Sequence, residues 1–273
     1  MFNLWQILTF EKQQITLFIG RWKMKSKKVS KINAKDLPVA DNVCAQVLRE
    51  VVQTLAWSMA HVIMNPFAES LLHSHKKMTE IYVITKGYGE LIVGLPDPIG
   101  KRCEVFAGSV HEIPSGIPHM LRNVSGGRLE HLVFALPPFD PSDVYLIKDD
   151  GWSTSKKPFA FEHLPEVQEC FDGAKILSYS LPYLNLSIAF GCVINDPARR
   201  KQPHYHEKIT EFIYVVEGKG SIGNDKTHRP IRSGDWIRVN PRTEHSMRNE
   251  SPEDMVVVCV CSPAFQMDDV LYW

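Results

Sequence analysis

One short phrase, written twice at almost constant separation, constrains this chain more than any other feature. HSHKKMTEIYVITKG (residues 73–87) sets His73 and His75 two apart, opens an apolar run with Glu80 and closes it with Gly87. HYHEKITEFIYVVEG (204–218) repeats the phrase as His204, His206, Glu211 and Gly218. Downstream of each, GSVHEIPSGIPHMLRN carries His119 and GDWIRVNPRTEHSMRN carries His245. The offset is 131 at the first phrase (204 − 73) and 126 at the second (245 − 119), so the second copy has the shorter intervening loop. Outside these phrases, PPFDPSDVYL (137–146) is answered by PAFQMDDVLY (263–272), and KDLPV (35–39) by EHLPEV (162–167). The chain from about residue 35 onward therefore reads as one unit used twice.

Each copy reads as a series of short strands. QVLREVV, TLAWSMAHVIM, EIYVIT, GELIVG, HMLRN and LEHLVFAL are rich in β-branched and aromatic residues and separated by Gly, Pro and Asn. Val43, Val47 and Val51 would suit a helix by spacing, but the corresponding GAKILSYSLPYLNLSIAF carries Pro182, so both copies are read as strands. Many short strands at this density predict sandwiches or barrels. On a strand, residues i and i+2 share a face, so His73 and His75 can aim at one point, as can His204 and His206. Three imidazoles with a carboxylate suit a divalent transition metal. The candidate ligands are His73, His75, Glu80 and His119 in the first copy, and His204, His206, Glu211 and His245 in the second.

The balance of charge narrows the partners. Lys+Arg and Asp+Glu both number 31, so no basic surface argues for nucleic acid. Six cysteines are scattered without a C-x-x-C pair, which fits a reducing, cytoplasmic setting and no disulfide framework. The apolar stretches MFNLWQILTF and ITLFIG are interrupted by Glu11, Lys12, Gln13 and Gln14, so no membrane span is expected there. Residues 1–34 are expected to be an N-terminal extension, with Met24 an alternative start. The expected domains are 35–147 and 162–273, joined by a linker at 148–161, in a monomer or homodimer.

At the level of motifs the chain resembles the cupin superfamily, whose motifs are G-x5-H-x-H-x3/4-E-x6-G and G-x5-P-x-G-x2-H-x3-N. The first copy carries the second motif in full, as Gly108, Pro114, Gly116, His119 and Asn123, while Phe67 stands at the leading glycine of the first motif. The second copy has Ala198 at that leading position, and Asn240 and Arg242 in place of the Pro and Gly before His245. These departures predict an altered turn before His245 with the ligand set intact. The resemblance implies an all-β bicupin of two tandem jelly-roll barrels, each with its own metal. Oxalate-decarboxylating bicupins carry the same ligand set in both halves, whereas seed-storage bicupins have generally lost it.

Strand parity sorts the neighbours of the ligands. If His119 points inward, so do Leu121 and Asn123, while Arg122 points out, and Arg248 follows it in the second copy. The same parity sets Tyr82 and Ile84 beside Glu80, and Ile213 and Val215 beside Glu211, in largely apolar pockets. Tyr82, His61 and His131 are the candidate catalytic residues, since the counterparts of the two histidines, Cys192 and Val257, offer no equivalent. Arg242 is expected at the surface.

Metal sites of this kind leave positions open to a small oxygen-bearing metabolite or to oxygen itself. The first expectation is an oxidoreductase of dioxygenase type using Fe(II). The alternatives are a redox-neutral isomerase or decarboxylase using Mn(II), Zn(II) or Ni(II), and a cupin that binds a small ligand without turnover. Chemistry is expected in the first barrel, with the metal of the second mainly structural.

Overall fold

A computed structural model describes residues 29–40, 42, 46–94, 101–147, 161–163, 165–169, 175–181, 184–195, 203–224 and 226–272. The extension upstream of Val29, including Met24, lies outside the described residues, as do Ala198 and nearly all of the expected linker. In chain order the strands begin with β1 (Val29–Asn33), β2 (Val47–Gln53), β3 (Ser58–Met64), β4 (His73–His75) and β5 (Thr79–Lys86). There follow β6 (Tyr88–Val93), β7 (Lys101–Phe106), β8 (Val110–Ile113), β9 (His119–Arg122), β10 (Leu129–Leu136) and β11 (Val144–Leu146). The second half supplies β12 (Phe161–His163), β13 (Glu166–Glu169), β14 (Lys175–Leu181), β15 (Leu186–Val193), β16 (His204–His206) and β17 (Thr210–Glu217). It ends with β18 (Lys219–Gly223), β19 (His228–Arg232), β20 (Asp235–Val239), β21 (Ser246–Asn249), β22 (Met255–Ser262) and β23 (Val270–Tyr272). Among the described residues no helix is long and apolar enough to cross a membrane.

The strands close two jelly-roll barrels, each with a large sheet and a smaller side. The first has the order β12-β8-β5-β10-β3-β2 opposite β11-β4-β9-β6-β7. The second has β1-β20-β17-β22-β15-β14-β13 opposite β16-β23 and β19-β18-β21. The halves exchange edge strands: β1 pairs antiparallel with β20 of the second barrel, and β12 with β8 of the first. Residues 29–33, counted from sequence with the N-terminal extension, thus form an edge of the second barrel. Lys31 Nζ lies 3.1 Å from Asp235 and Asn33 Nδ2 donates to the same carboxylate at 2.8 Å.

The two large sheets pack against each other. Met59, Val83, Leu132 and Phe134 meet Phe190, Phe212, Tyr214, Trp236 and Val260 in one core between the barrels. The Trp57 and Phe212 rings meet edge to face at 5.4 Å. Each barrel also has an inner core, with Tyr82, Ile84 and Leu121 in the first and Ile213, Val215 and Ile237 in the second. Burying one such aliphatic or Phe side chain is worth roughly 1.5–3 kcal/mol. Strands of the large sheets are therefore buried on both faces, and β5 (TEIYVITK) is apolar along most of its length.

The turn before His245 keeps its form, contrary to the change expected from Asn240 and Arg242. Arg242 adopts φ 58°, beside 83° for Gly116, and its N–H reaches His206 O at 2.6 Å as that of Gly116 reaches His75 O. Phe67 likewise holds a left-handed φ of 58° where the motif has glycine. Such conformations tolerate a side chain at a cost of roughly 1–2 kcal/mol, so backbone geometry has outlasted the residue best suited to it. Arg242 is exposed and pairs with Glu207.

Candidate metal centres

Sheet register explains why the ligands meet. His73 of β4 is the cross-strand partner of His119 of β9, so their side chains share a face, and His75 follows at i+2. Glu80 enters from β5, and all four residues are buried. The second half repeats this with a His204–His245 bridge and Glu211 on β17. In each set one potential ligand atom per residue lies within 4.8 Å of the others. Ring centroids of His73 and His119 are 4.3 Å apart, and those of His204 and His245 4.5 Å.

The proton inventory of these sets calls for a cation. In the first, Nδ1 of His73, His75 and His119 contacts the carbonyls of Leu71, Asp143 and Ile117 at 2.8, 3.0 and 3.0 Å. A carbonyl only accepts, so each Nδ1 carries the N–H and a neutral ring turns a bare Nε2 inward. His119 Nε2 then faces Glu80 Oε2 at 2.9 Å, lone pair toward lone pair, and the buried Nε2 of His75 has no hydrogen-bond partner. In the second set His245 repeats this, with Nδ1 2.9 Å from Thr243 O and Nε2 2.8 Å from Glu211 Oε2. A divalent ion resolves each conflict, and carbonyls bonded to Nδ1 are the usual outer support of metal-bound histidines. The residues fit the group.

Burial, then the neighbouring His119, lowers the His73 pKa to about 4, leaving a neutral ring with a free lone pair. At His75 and His245 burial is outweighed by the adjacent Glu80 and Glu211, which raise the pKa of each ring. Burial works to raise the Glu80 pKa, but the imidazoles of His119 and His75 beside it outweigh that and hold the carboxyl well below its ordinary range. The same balance, dominated by burial and His245, leaves Glu211 below its ordinary range.

The surroundings of the two sites differ. An open cleft of about 920 Å3, including its solvent-facing mouth, reaches His73, His75 and Glu80 in the first barrel. Its walls are largely apolar, with Val62, Val133, Ala135 and Phe139 among them, and among the described residues no Lys or Arg lines it. In the second set His206 Nδ1 stands 3.9 Å from the carboxylate of Asp269, the counterpart of the Asp143 that orients His75.

Of the candidate catalytic residues, Tyr82 and His131 line the cleft, and Tyr82 donates a 3.2 Å hydrogen bond to Glu80 Oε2. His61 is placed elsewhere. Ala60 and Val62 line the cleft, whereas His61 points to the opposite face of β3, where its Nε2 lies 3.3 Å from the Tyr214 hydroxyl of the second barrel. Alternation along the strand excludes it from the pocket. Arg122 turns out to pair with Glu69 at 2.9 Å, and Arg248 is exposed.

Two supporting residues escaped the sequence reading. The Asp143 carboxylate accepts from the N–H groups of Lys76, Lys77 and Met78 at 3.1, 3.0 and 3.0 Å, and its carbonyl orients His75. It thereby ties down the loop between His75 and Glu80. Asp269 holds Lys208 N and Ile209 N at 3.1 Å in the second barrel. The signal was present, because both aspartates lie in the repeated terminal segments at the offset of 126 (269 − 143).

Known proteins resemble the chain in sequence and fold. The Cupin domain family matches residues 60–134 and 193–261. Quercetin 2,3-dioxygenase of Bacillus subtilis (strain 168) is 25% identical over 232 residues, 66% of this chain and 66% of that protein. Polyketide synthase CurC of Streptomyces cyaneus is 33% identical over 73 residues, 27% of this chain and 47% of that protein. The chain thus spans from about half to about two thirds of the length of these curated relatives. The formate complex of Lactobacillus farciminis oxalate decarboxylase superposes with a TM-score of 0.63 at 16% identity, covering 89% of this chain and 88% of that one. At that identity the likeness concerns the fold.

Proposed function

The chain belongs to the cupin family, and from that premise we propose that it is an oxidoreductase of dioxygenase type, acting on a small oxygen-bearing metabolite in the cleft of its first barrel. It is a bicupin with two His/Glu sets suited to a divalent metal. The observation that carries the finer reading is the cleft itself, which runs to His73, His75 and Glu80 between apolar walls. An ion there would supply Lewis acidity and, as Fe(II), one-electron exchange with oxygen.

The side chains divide the remaining work. His73, His75, His119 and Glu80 are the ligands of the working site, held in the correct tautomer by the carbonyls of Leu71, Asp143 and Ile117. Tyr82 steadies the Glu80 carboxylate through its hydroxyl. Val62, Val133 and Ala135 keep water from the reacting face. His204, His206, Glu211 and His245 hold the second ion, which is mainly structural. The functional units are 35–147 and 162–273, with β1 and β12 exchanged between them.

A redox-neutral isomerase or decarboxylase with Mn(II), Zn(II) or Ni(II) is the second reading, favoured by the presence of full ligand sets in both halves. The cleft weighs against decarboxylation of a dicarboxylate, because among the described residues no Lys or Arg of the lining is available to hold one. Elemental analysis of protein purified without added metal, combined with oxygen uptake on a phenol and polyol panel, tests the choice. Iron with substrate-dependent uptake is expected; manganese, zinc or nickel without uptake transfers the assignment to the redox-neutral class.

A further inference from the structure

We propose that His131 is the specificity-determining residue of the first-barrel cleft, and that the cleft takes an uncharged ligand with an apolar body and a hydroxyl group that hydrogen-bonds to this imidazole. The inference deepens the reading above and rests on it for the place of the ligand. His131 is 2% exposed, lines the cleft and packs against the Tyr82 ring at 5.0 Å between centroids. Along β10 the cleft side holds His131, Val133 and Ala135, while Leu132 and Phe134 enter the core between the barrels. The buried Nδ1 of His131 has no hydrogen-bond partner among the described residues. Leaving such an atom unpaired costs roughly 1–3 kcal/mol, so a ligand that supplies the partner gains that much over one that does not.

Charge and proton count select the kind of ligand. Among the described residues Glu50 and Glu80 are the ionisable acids of the lining, and neither Lys nor Arg accompanies them. A bound ion is partly offset by Glu80, and a carboxylate elsewhere in the cleft would find no side-chain cation. Burial lowers the His131 pKa to about 3, so the ring is neutral, with one N–H and one lone pair. A hydroxyl, which both donates and accepts, complements that ring; a carboxylate only accepts. The equivalent position in the second barrel is Val257, at 1% exposure in its inner core, so the device belongs to the first barrel alone.

The test is calorimetric titration of the full chain as purified, under nitrogen so that no oxygen chemistry runs, with catechol and benzoate as matched aromatic probes. Catechol is expected to bind at least tenfold more tightly than benzoate. His131→Val, which copies the second barrel, should weaken catechol at least tenfold at unchanged metal content, and His131→Gln should restore most of the loss. Because Val is already accommodated at 257 and Gln retains polarity, one of the two variants keeps the comparison open if the other folds poorly. Benzoate binding as tightly as catechol, absence of catechol binding, or His131→Val binding catechol like the parent would each overturn the proposal. Oxygen uptake reports separately on the dioxygenase reading, so either can fail alone.

Discussion

The Tyr214 hydroxyl of the second barrel lies 3.3 Å from Nε2 of His61 in the first, and both side chains are buried. Glu130 Oε2 stands 3.5 Å from the same nitrogen, and Trp236 stacks on the Tyr214 ring at 4.6 Å. A polar contact thus crosses the core between the barrels, as do those of Trp57 Nε1 with Ser262 Oγ at 3.3 Å and of the Tyr179 hydroxyl with the Gly108 carbonyl. Burial raises the Tyr214 pKa well above its ordinary value, so the phenol keeps its proton and serves as donor.

Tyr214→Phe removes that donor while preserving the ring stack. The expected cost is about 1 kcal/mol, the usual net worth of a hydrogen bond, seen as a lower urea midpoint at unchanged slope. Metal content and turnover should not move, because His61 faces away from the cleft. Loss of turnover in a well-folded Tyr214→Phe chain would show that His61 acts on the site after all.

His61 also marks where sequence stops being informative. The ligand sets were legible because His-x-His, Glu and the later His recur at two offsets, and spacing on strands dictates a shared face. The inward direction of Leu121 and Asn123 was legible for the same reason. β3 carries no such contrast: Met59 enters the core between the barrels while Ala60 and Val62 line the cleft, so both faces are apolar and parity has no polar reference. The exchange of β1 and β12 was hidden because three to five residues specify extended backbone without naming a partner, and β1 offers only exposed or half-buried positions. The turn at Arg242 misled in the opposite direction, since residue type changed and conformation did not.

Asp235 measures the value of that exchange. It is 1% exposed and accepts from Lys31 Nζ, Asn33 Nδ2 and Arg232 N at 3.1, 2.8 and 3.0 Å. Asp235→Ala strands these donors at a seam between β1 and β20, and should cost about 2–3 kcal/mol. Chemical unfolding checks the size; a change below about 0.5 kcal/mol would mean that β1 adds nothing to the second barrel.

The seam between the barrels should also respond to acid. The His61 imidazole beside it is the main cause that lowers the Glu130 pKa below 4.5, with burial opposing it. A carboxyl with a depressed folded-state pKa stabilises the fold above its unfolded pKa, and that contribution disappears as pH falls through the folded value. The urea midpoint should therefore decline on acidification from about pH 4.5 downward, and Glu130→Gln should flatten part of the decline. Identical acid profiles for parent and variant would remove Glu130 from the account.

The two metal centres separate by paired substitutions. His75 belongs to the set that the cleft reaches, and its ring is oriented by Asp143 O at 3.0 Å. His206 occupies the equivalent place in the second set, its Nδ1 3.9 Å from the carboxylate of Asp269, the counterpart of Asp143. An ion that binds only the folded chain stabilises it by mass action, by about 3 kcal/mol at a free concentration a hundredfold above its dissociation constant. Loss of either ligand should therefore remove one ion and lower the melting temperature by several degrees, so stability alone does not distinguish the barrels. Turnover does: His75→Ala should be inactive, whereas His206→Ala should retain most of its kcat at temperatures where it remains folded. Metal analysis, thermal melts and initial rates on the same preparations decide the matter. An inactive, well-folded His206→Ala beside an active His75→Ala would reverse the assignment and move the chemistry to the second barrel.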